Sequence, residues 1–204
     1  DSLVEVLAPF YERAERNTEI DGYGNAQSVS INVLENFDQT KDFVGSDALS
    51  QNQFDPISSY ARDFLTRSEL FEERIAQGKI RDCHGDLYSA NICLADKVYI
   101  YDCIEFNQRF RYCDVASDVA FMAMDLDYWS LNELSNYCVE SFVKLSGDNT
   151  MALMLDFYKC YRAYVRGKID LFTANDPAVD ETVKQQNQEA AGKYFQLALE
   201  YATR

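Results

Sequence analysis

The sequence has 204 residues, of which 47% are hydrophobic, and its formal charge at pH 7 is −15. A negative field of this size repels nucleic-acid phosphates and anionic membrane surfaces, so we expect neither as a partner. The sequence contains no apolar run near the roughly 18 residues of a membrane span, and no signal peptide is visible. We therefore expect a cytoplasmic protein. Because the chain begins with Asp1 and not with Met, we also expect it to be a piece of a longer one.

Other features of the composition exclude further classes of enzyme. His84 is the only histidine, whereas zinc hydrolases and metallophosphoesterases need several histidine or mixed His/Cys ligands. No G-x-S-x-G elbow is present to carry the nucleophile of a serine hydrolase. The six cysteines form no C-x-x-C pair and no zinc spacing, so we expect reduced thiols.

Hydrophobic periodicity predicts helices on both sides of a short central segment. The first half should hold helices over residues 3–15 and 26–40, then one long helix that starts at Pro56 and ends at Gly78. The second half should begin with a buried helix that Asp114 caps. The four helices of this half are predicted over residues 114–128, 131–145, 150–174 and 179–202.

The central segment predicts a β-hairpin. Two apolar runs, residues 92–94 and 98–101, are separated by the turn-like Ala95-Asp96-Lys97. Asn91 enters the first strand and Asp102 leaves the second, so both side chains should emerge at the same end. The fold class predicted from the whole pattern is mainly α with a small β-hairpin (α+β).

Polar residues of this segment form a pattern typical of phosphoryl transfer. The sequence reads HGDLYSANI at residues 84–92 and YDCIEFN at residues 101–107. Transfer from ATP needs a carboxylate that holds the acceptor hydroxyl and accepts its proton, and oxygen ligands that hold Mg²⁺ against the phosphates. Asp86 suits the first task, and Asn91 and Asp102 suit the second.

His84-Gly85-Asp86-Leu87, followed by Asn91 and Asp102, resembles the catalytic segment of the aminoglycoside phosphotransferase branch of the protein-kinase-like fold. The resemblance implies Asp86 as the catalytic base, Asn91 as a metal ligand, Asp102 as the main Mg²⁺ ligand, and ATP as co-substrate. The longer stretch 102–126 resembles an uncharacterised bacterial subgroup of these kinase-like enzymes. Members of that subgroup are often fused to a second, P-loop kinase domain, which makes such a domain an expected partner.

The resemblance also implies a domain organisation, that of a C-terminal lobe alone. Residues 1–79 would be leading helices, residues 80–113 the catalytic loop and metal-site hairpin, and residues 114–204 a helical bundle. The nucleotide-binding N-terminal lobe is expected to be absent, since Gly22-Tyr23-Gly24 is no phosphate loop. Tyr88 stands where the family usually has His, and we expect it to shape the loop.

Further residues receive roles from the same resemblance. His84 is expected to be structural and to bond backbone, and Asp118 to accept hydrogen bonds from the catalytic-loop backbone and hold it rigid. Glu105 is a candidate second metal ligand, although an ion pair with Arg109 or Arg111 is favoured for it.

Three basic residues, Arg162, Arg166 and Lys168, cluster on the later half of the predicted helix 150–174. They are expected to pair with the acidic helix that begins at Asp114, and contact with substrate or phosphate is the other interpretation.

Two functional hypotheses follow. In the first, the parent protein is a small-molecule kinase that transfers the γ-phosphate of ATP to a substrate hydroxyl. In the second, the lobe has lost catalysis and serves as a scaffold or regulatory module for a fused or partner kinase domain. The acceptor, the substrate-binding residues and the oligomeric state are not readable from the sequence, because a fold analogy does not fix a substrate.

Overall fold

A computed structural model describes residues 1–204, which form ten α-helices and four short strands. Five helices precede the first strand: α1 Ser2–Arg13, α2 Thr18–Asp21, α3 Ala26–Thr40, α4 Gln51–Leu65 and α5 Ser68–Ala76. The central segment contains β1 Ile80–Asp82, β2 Ile92–Leu94, β3 Val98–Ile100, α6 Gln108–Arg111 and β4 Tyr112–Asp114. The remaining helices are α7 Val115–Tyr128, α8 Asn132–Ser146, α9 Ala152–Ala174 and α10 Glu181–Ala202.

The strands form two antiparallel pairs. β2 and β3 make the expected hairpin, in which Ile92 lies opposite Ile100. β1 pairs with β4, so that Ile80 lies opposite Asp114. This second pair was not predicted, because its strands are only three residues long and far apart in the sequence. It fixes both ends of the segment that carries the candidate site.

One continuous hydrophobic core joins the helices on both sides of the strands. α7 lies at its centre, and nearly all of its residues are buried. A helix that is buried on nearly all sides needs several packing partners, and α8 and α9 supply most of them here. No helix combines the length and the apolar composition that crossing a bilayer requires.

A buried charge cluster ties the start of α7 to the rest of the core. Arg74, 1% exposed, donates to both carboxylate oxygens of Asp114 at 2.7 and 2.8 Å. It also bonds Asp148 in the loop between α8 and α9. Asp114 accepts from the Ala116 N–H as the N-cap of α7. Because each charge has a charged partner, the cluster avoids the cost of an unpaired buried ion.

The prediction of one long helix that begins at Pro56 is wrong in two respects. α4 begins at Gln51, where the Gln53 side chain accepts from the Ser50 N–H at 3.0 Å, and Pro56 lies inside the helix. The helix then breaks between α4 and α5, where Arg67 has a non-helical backbone with φ −84° and ψ 60°. A capping box supplies a stronger helix start than proline alone, since it satisfies donors that proline only removes.

Candidate functional site

The loop between β1 and β2 is held by one carboxylate. Asp118 is fully buried in the first turn of α7. It accepts hydrogen bonds from the backbone N–H of His84 at 2.8 Å and of Gly85 at 3.1 Å, and from the Tyr11 hydroxyl at 3.0 Å. The Arg162 guanidinium lies 3.7 Å away and donates to the Gly85 carbonyl at 3.0 Å. A buried carboxylate with this many donors fixes the backbone before Asp86 in one conformation.

Gly85 makes this close approach feasible. Its φ is +83°, in the left-handed region that side chains rarely adopt. A Cβ at this position would lie 2.8 Å from the Phe110 carbonyl oxygen and 2.9 Å from the Ile104 side chain. The glycine of the motif therefore lets the loop pack directly against the segment that follows the hairpin.

The His84 side chain contacts backbone only. Its Nε2 lies 2.9 Å from the Tyr101 carbonyl oxygen, and its Nδ1 lies 3.3 Å from the Asp86 N–H. A carbonyl can only accept and an N–H can only donate, so these partners require the neutral tautomer with the proton on Nε2. The imidazole thus connects the loop between β1 and β2 to the end of β3.

Asp86 and Asn91 contact each other. The Asn91 Nδ2 donates to the Asp86 carboxylate at 3.2 Å and to the Asp86 carbonyl at 2.9 Å. Both partners are oxygens that can only accept, so the amide atom that faces Asp86 must be the nitrogen Nδ2 and not the oxygen Oδ1. The Asn91 Oδ1 has no hydrogen-bond donor in the protein, although Asn91 is only 5% exposed. This free oxygen is the atom of an asparagine that ligates hard cations such as Mg²⁺.

Asp102 lies at the end of the hairpin, directly after Tyr101, which is the residue opposite Asn91. The Tyr101 N–H donates to the Asn91 carbonyl at 3.1 Å, which extends the register of β2 and β3 by one residue. The Asp102 side chain is exposed and makes no hydrogen bond or ion pair, and its φ is +61°. Aspartate tolerates this left-handed conformation better than most residues, but at some cost.

Glu105 is exposed three residues further along. The ion pair favoured for it is wrong, because Arg109 pairs with Glu35 at 2.6 Å and Arg111 pairs with Asp82 at 2.6 Å. No group of three or more His, Cys, Asp or Glu side chains is arranged to hold a metal ion. Mg²⁺ typically takes one or two protein oxygens plus waters and substrate phosphates, so the oxygen pair of Asn91 and Asp102 is of the kind it uses.

A cavity of about 280 Å³ lies beside Asp86. α3 and α9 form two of its walls, and the segment from Ile104 to Phe110 forms a third. Its lining is mixed, with aromatic and aliphatic side chains next to charged ones. The charged residues of the lining are Glu35, Asp86, Arg109, Arg162 and Lys168.

Comparison with known proteins bears on the fold. No family model matches the chain. Uncharacterised proteins of Mycobacterium tuberculosis and Mycobacterium bovis are 36% identical to it over 172 residues. The matched part is 83% of this chain but 34% of those proteins, so the chain spans about a third of their length.

An ethanolamine kinase of Plasmodium vivax resembles the chain in structure, with a TM-score of 0.50 over 93% of this chain and 57% of that one. This chain has a kinase-like fold. At 12% sequence identity the likeness carries no information on substrate. The expected kinase-like fold is therefore confirmed at this coarse level, and the aminoglycoside phosphotransferase branch stays a prediction.

The three basic residues of α9 have three different environments in this kinase-like fold. Arg162 contacts Asp118 of α7, as expected. Arg166 lies over the rings of Tyr88 and Tyr194, 5.0 and 5.8 Å from their centroids, and 3.9 Å from Asp170 on its own helix. Lys168 donates to Gln39 of α3 at 2.8 Å. Pairing with α7 therefore holds only for Arg162.

The polar residues of α3 that line the cavity were not predicted from the sequence. Asn32, Glu35 and Gln39 recur at helical spacing and face the side of α3 next to Asp86. This polar stripe on a partly buried helix is the signal that could have found them. Arg109 and Lys168 could not be linked to the stripe from the sequence, since only the tertiary fold brings the three elements together.

Proposed function

We propose that this chain is the catalytic lobe of an ATP-dependent phosphotransferase that transfers the γ-phosphate to the hydroxyl of a small molecule. The observation that carries the proposal is the environment of Asp86. The two residues before Asp86 donate their backbone N–H groups to buried Asp118. The Asp86 carboxylate accepts a hydrogen bond from Asn91, and a cavity of about 280 Å³ lies beside it. Positioning supplies most of the catalysis in this class of reaction, and a rigid carboxylate beside a cavity supplies positioning.

In the proposed reaction the acceptor hydroxyl lies in the cavity and donates its hydrogen bond to Asp86. The hydroxyl oxygen forms a bond to the γ-phosphorus, and the bond from that phosphorus to the β,γ-bridging oxygen breaks. The electron pair of the broken bond stays on ADP, and the hydroxyl proton passes to the Asp86 carboxylate. The products are a phosphate monoester, ADP and a proton.

Asn91 and Asp102 are the residues that would hold Mg²⁺. The free Oδ1 of Asn91 and the unpaired carboxylate of Asp102 support this assignment, with Glu105 as a candidate second carboxylate. The ion would neutralise the charge of the ATP phosphates. His84 and Asp118 are proposed to act through the loop backbone and not on the substrate. The nucleotide-covering lobe and a fused P-loop domain are proposed to lie in other parts of a longer protein.

The test is turnover of an Asp86→Asn variant. With Mg·ATP and a panel of small alcohols, we expect ADP release to fall by about 10²- to 10⁴-fold, the usual contribution of a general base. Nucleotide affinity should stay nearly unchanged, because the carboxamide keeps the shape of the side chain. Asp96→Asn is the matched control, since Asp96 is an exposed carboxylate in the hairpin turn and bonds only Tyr99.

Unchanged turnover in Asp86→Asn, or an equal loss in Asp96→Asn, would refute the role of Asp86. If the longer protein that contains this lobe shows no phosphoryl transfer and binds a stoichiometric partner, the scaffold or regulatory hypothesis becomes the better one.

A further inference from the structure

The cavity beside Asp86 contains one cation that has no carboxylate within ion-pair distance. Glu35 is paired with Arg109 at 2.6 Å. The Arg162 guanidinium is occupied by the Gly85 carbonyl, the Ser117 hydroxyl and nearby Asp118. Lys168, in contrast, contacts only the neutral Gln39 side chain and has no carboxylate within ion-pair distance.

An unpaired ammonium is unusual at this position. Lys168 is half-buried, and burial lowers its pKa, while Glu35 opposes and Arg109 adds to that effect. Five of the eight lysines form no ion pair, and of these five only Lys168 is not exposed. A partly buried cation without a counter-charge is unfavourable unless a ligand supplies that charge.

Two further polar atoms in the cavity wall lack hydrogen-bond partners. They are the Nε of Arg109, which is a donor, and the Oδ1 of Asn32, which is an acceptor because the Asn32 Nδ2 already donates to the Arg109 carbonyl. Unpaired buried polar atoms are rare in folded proteins, and a binding site is one of the places where they occur.

We propose that the acceptor for this site is a small hydroxylated anion, of the class of hydroxy acids and phosphorylated polyols, whose anionic group binds Lys168. The inference rests on the proposed phosphotransferase function and names its substrate class. Arg109 adds a second donor for the anion, Asn32 an acceptor for a further hydroxyl, and Asp86 receives the reacting hydroxyl. A cationic amino alcohol would instead be repelled by Lys168 and Arg109. Glu35 would attract it only weakly, because Arg109 already neutralises that carboxylate. The volume of about 280 Å³ suits a small molecule.

The test is calorimetric binding of four probes without nucleotide: D-glycerate, glycerol 3-phosphate, glycerol and ethanolamine. We expect at least one of the two anions to bind about tenfold or more tightly than glycerol and ethanolamine, as a charge-assisted contact requires. Lys168→Met, which keeps the length of the side chain, should remove that preference. Lys184→Met is the matched control, because Lys184 lies on α10 and pairs only with Glu181. A thermal melt of each variant verifies that it is folded.

Equal binding of all four probes, preferential binding of ethanolamine, or anion binding that Lys168→Met leaves unchanged would overturn the proposal. Phosphoryl transfer assayed on the same four compounds separates its failure from that of the proposed function. Phosphoryl transfer to glycerol or ethanolamine alone would support the phosphotransferase function and contradict the proposal of an anionic acceptor. Anion binding without phosphoryl transfer to any of the four compounds would contradict both the proposed acceptor and the proposed phosphotransferase function.

Discussion

The two sides of the candidate site differ in how firmly this chain holds them. On one side, the loop from His84 to Asn91 is fixed by Asp118, by Arg162 and by its own imidazole. On the other side, Asp102 is exposed, has a left-handed backbone and makes no side-chain hydrogen bond or ion pair. Both sides contain the polar residues that the motif predicts, yet only the first is built into the core.

The difference indicates a division of labour. The proposed base must be positioned to a fraction of an ångström relative to the acceptor, and rigid neighbours supply that positioning. A proposed metal ligand can be ordered by the cation and the phosphates it binds. Strained or exposed residues that persist beside a rigid loop are typical of functional sites. Substitutions on the two sides should therefore change the stability of the protein in different directions.

The largest effect on stability is expected for Asp118→Asn. The amide cannot accept from three donors without turning its own N–H₂ towards one of them, and Arg162 loses its charged partner. Breaking a buried ion pair in this way costs about 3–5 kcal/mol of unfolding free energy. Urea unfolding measures it. A loss below about 1 kcal/mol, within the range of exposed pairs, would show that the loop does not depend on this carboxylate.

Asp102→Gly should have a smaller effect of the opposite sign. Glycine adopts the φ of +61° without strain, which offsets its greater freedom in the unfolded chain. The unfolding free energy should rise by up to about 1 kcal/mol. This is the cost of a left-handed backbone at aspartate, reduced by the larger conformational entropy that glycine has in the unfolded chain. Asp96→Gly is the control and should not stabilise the protein, because Asp96 is an exposed carboxylate whose φ is not positive. Destabilisation by Asp102→Gly would mean that Asp102 is part of the packed structure after all.

The smallest effect is expected for Tyr88→Phe. The Tyr88 ring stacks on Phe121 with centroids 5.5 Å apart and receives Arg166 on its face, whereas its hydroxyl makes no hydrogen bond. Phenylalanine keeps both ring contacts, so the unfolding free energy should change by less than about 0.5 kcal/mol. Tyr88→Ala, the companion variant, should destabilise measurably. If Tyr88→Phe proved as harmful as Tyr88→Ala, the hydroxyl would have a function that the ring contacts do not explain.

Local patterns predicted the parts of this molecule that depend on neighbouring residues. The hairpin was found because its apolar runs flank a polar turn, and the start of α7 because Asp114 precedes an apolar run. The capping box at Ser50 and the break at Arg67 were missed, since Pro56 and a continuous apolar stripe obscured them.

Long-range features were beyond the sequence for a physical reason. The pairing of β1 with β4 and the position of Lys168 next to α3 depend on contacts between segments far apart in the chain. No periodicity encodes such contacts. The motif named the polar residues of the site, but only the fold revealed which of them are rigid and which cavity lies beside them.

The most direct test of the central claim is a calorimetric titration of ATP into this chain, with and without Mg²⁺, for the wild type and for Asp102→Asn and Asp86→Asn. We predict Mg²⁺-dependent binding that Asp86→Asn retains and that Asp102→Asn weakens by about tenfold or more, since a carboxylate ligand becomes a neutral one. Binding that is absent, independent of Mg²⁺, or equal in all three proteins would contradict the proposed nucleotide and metal site.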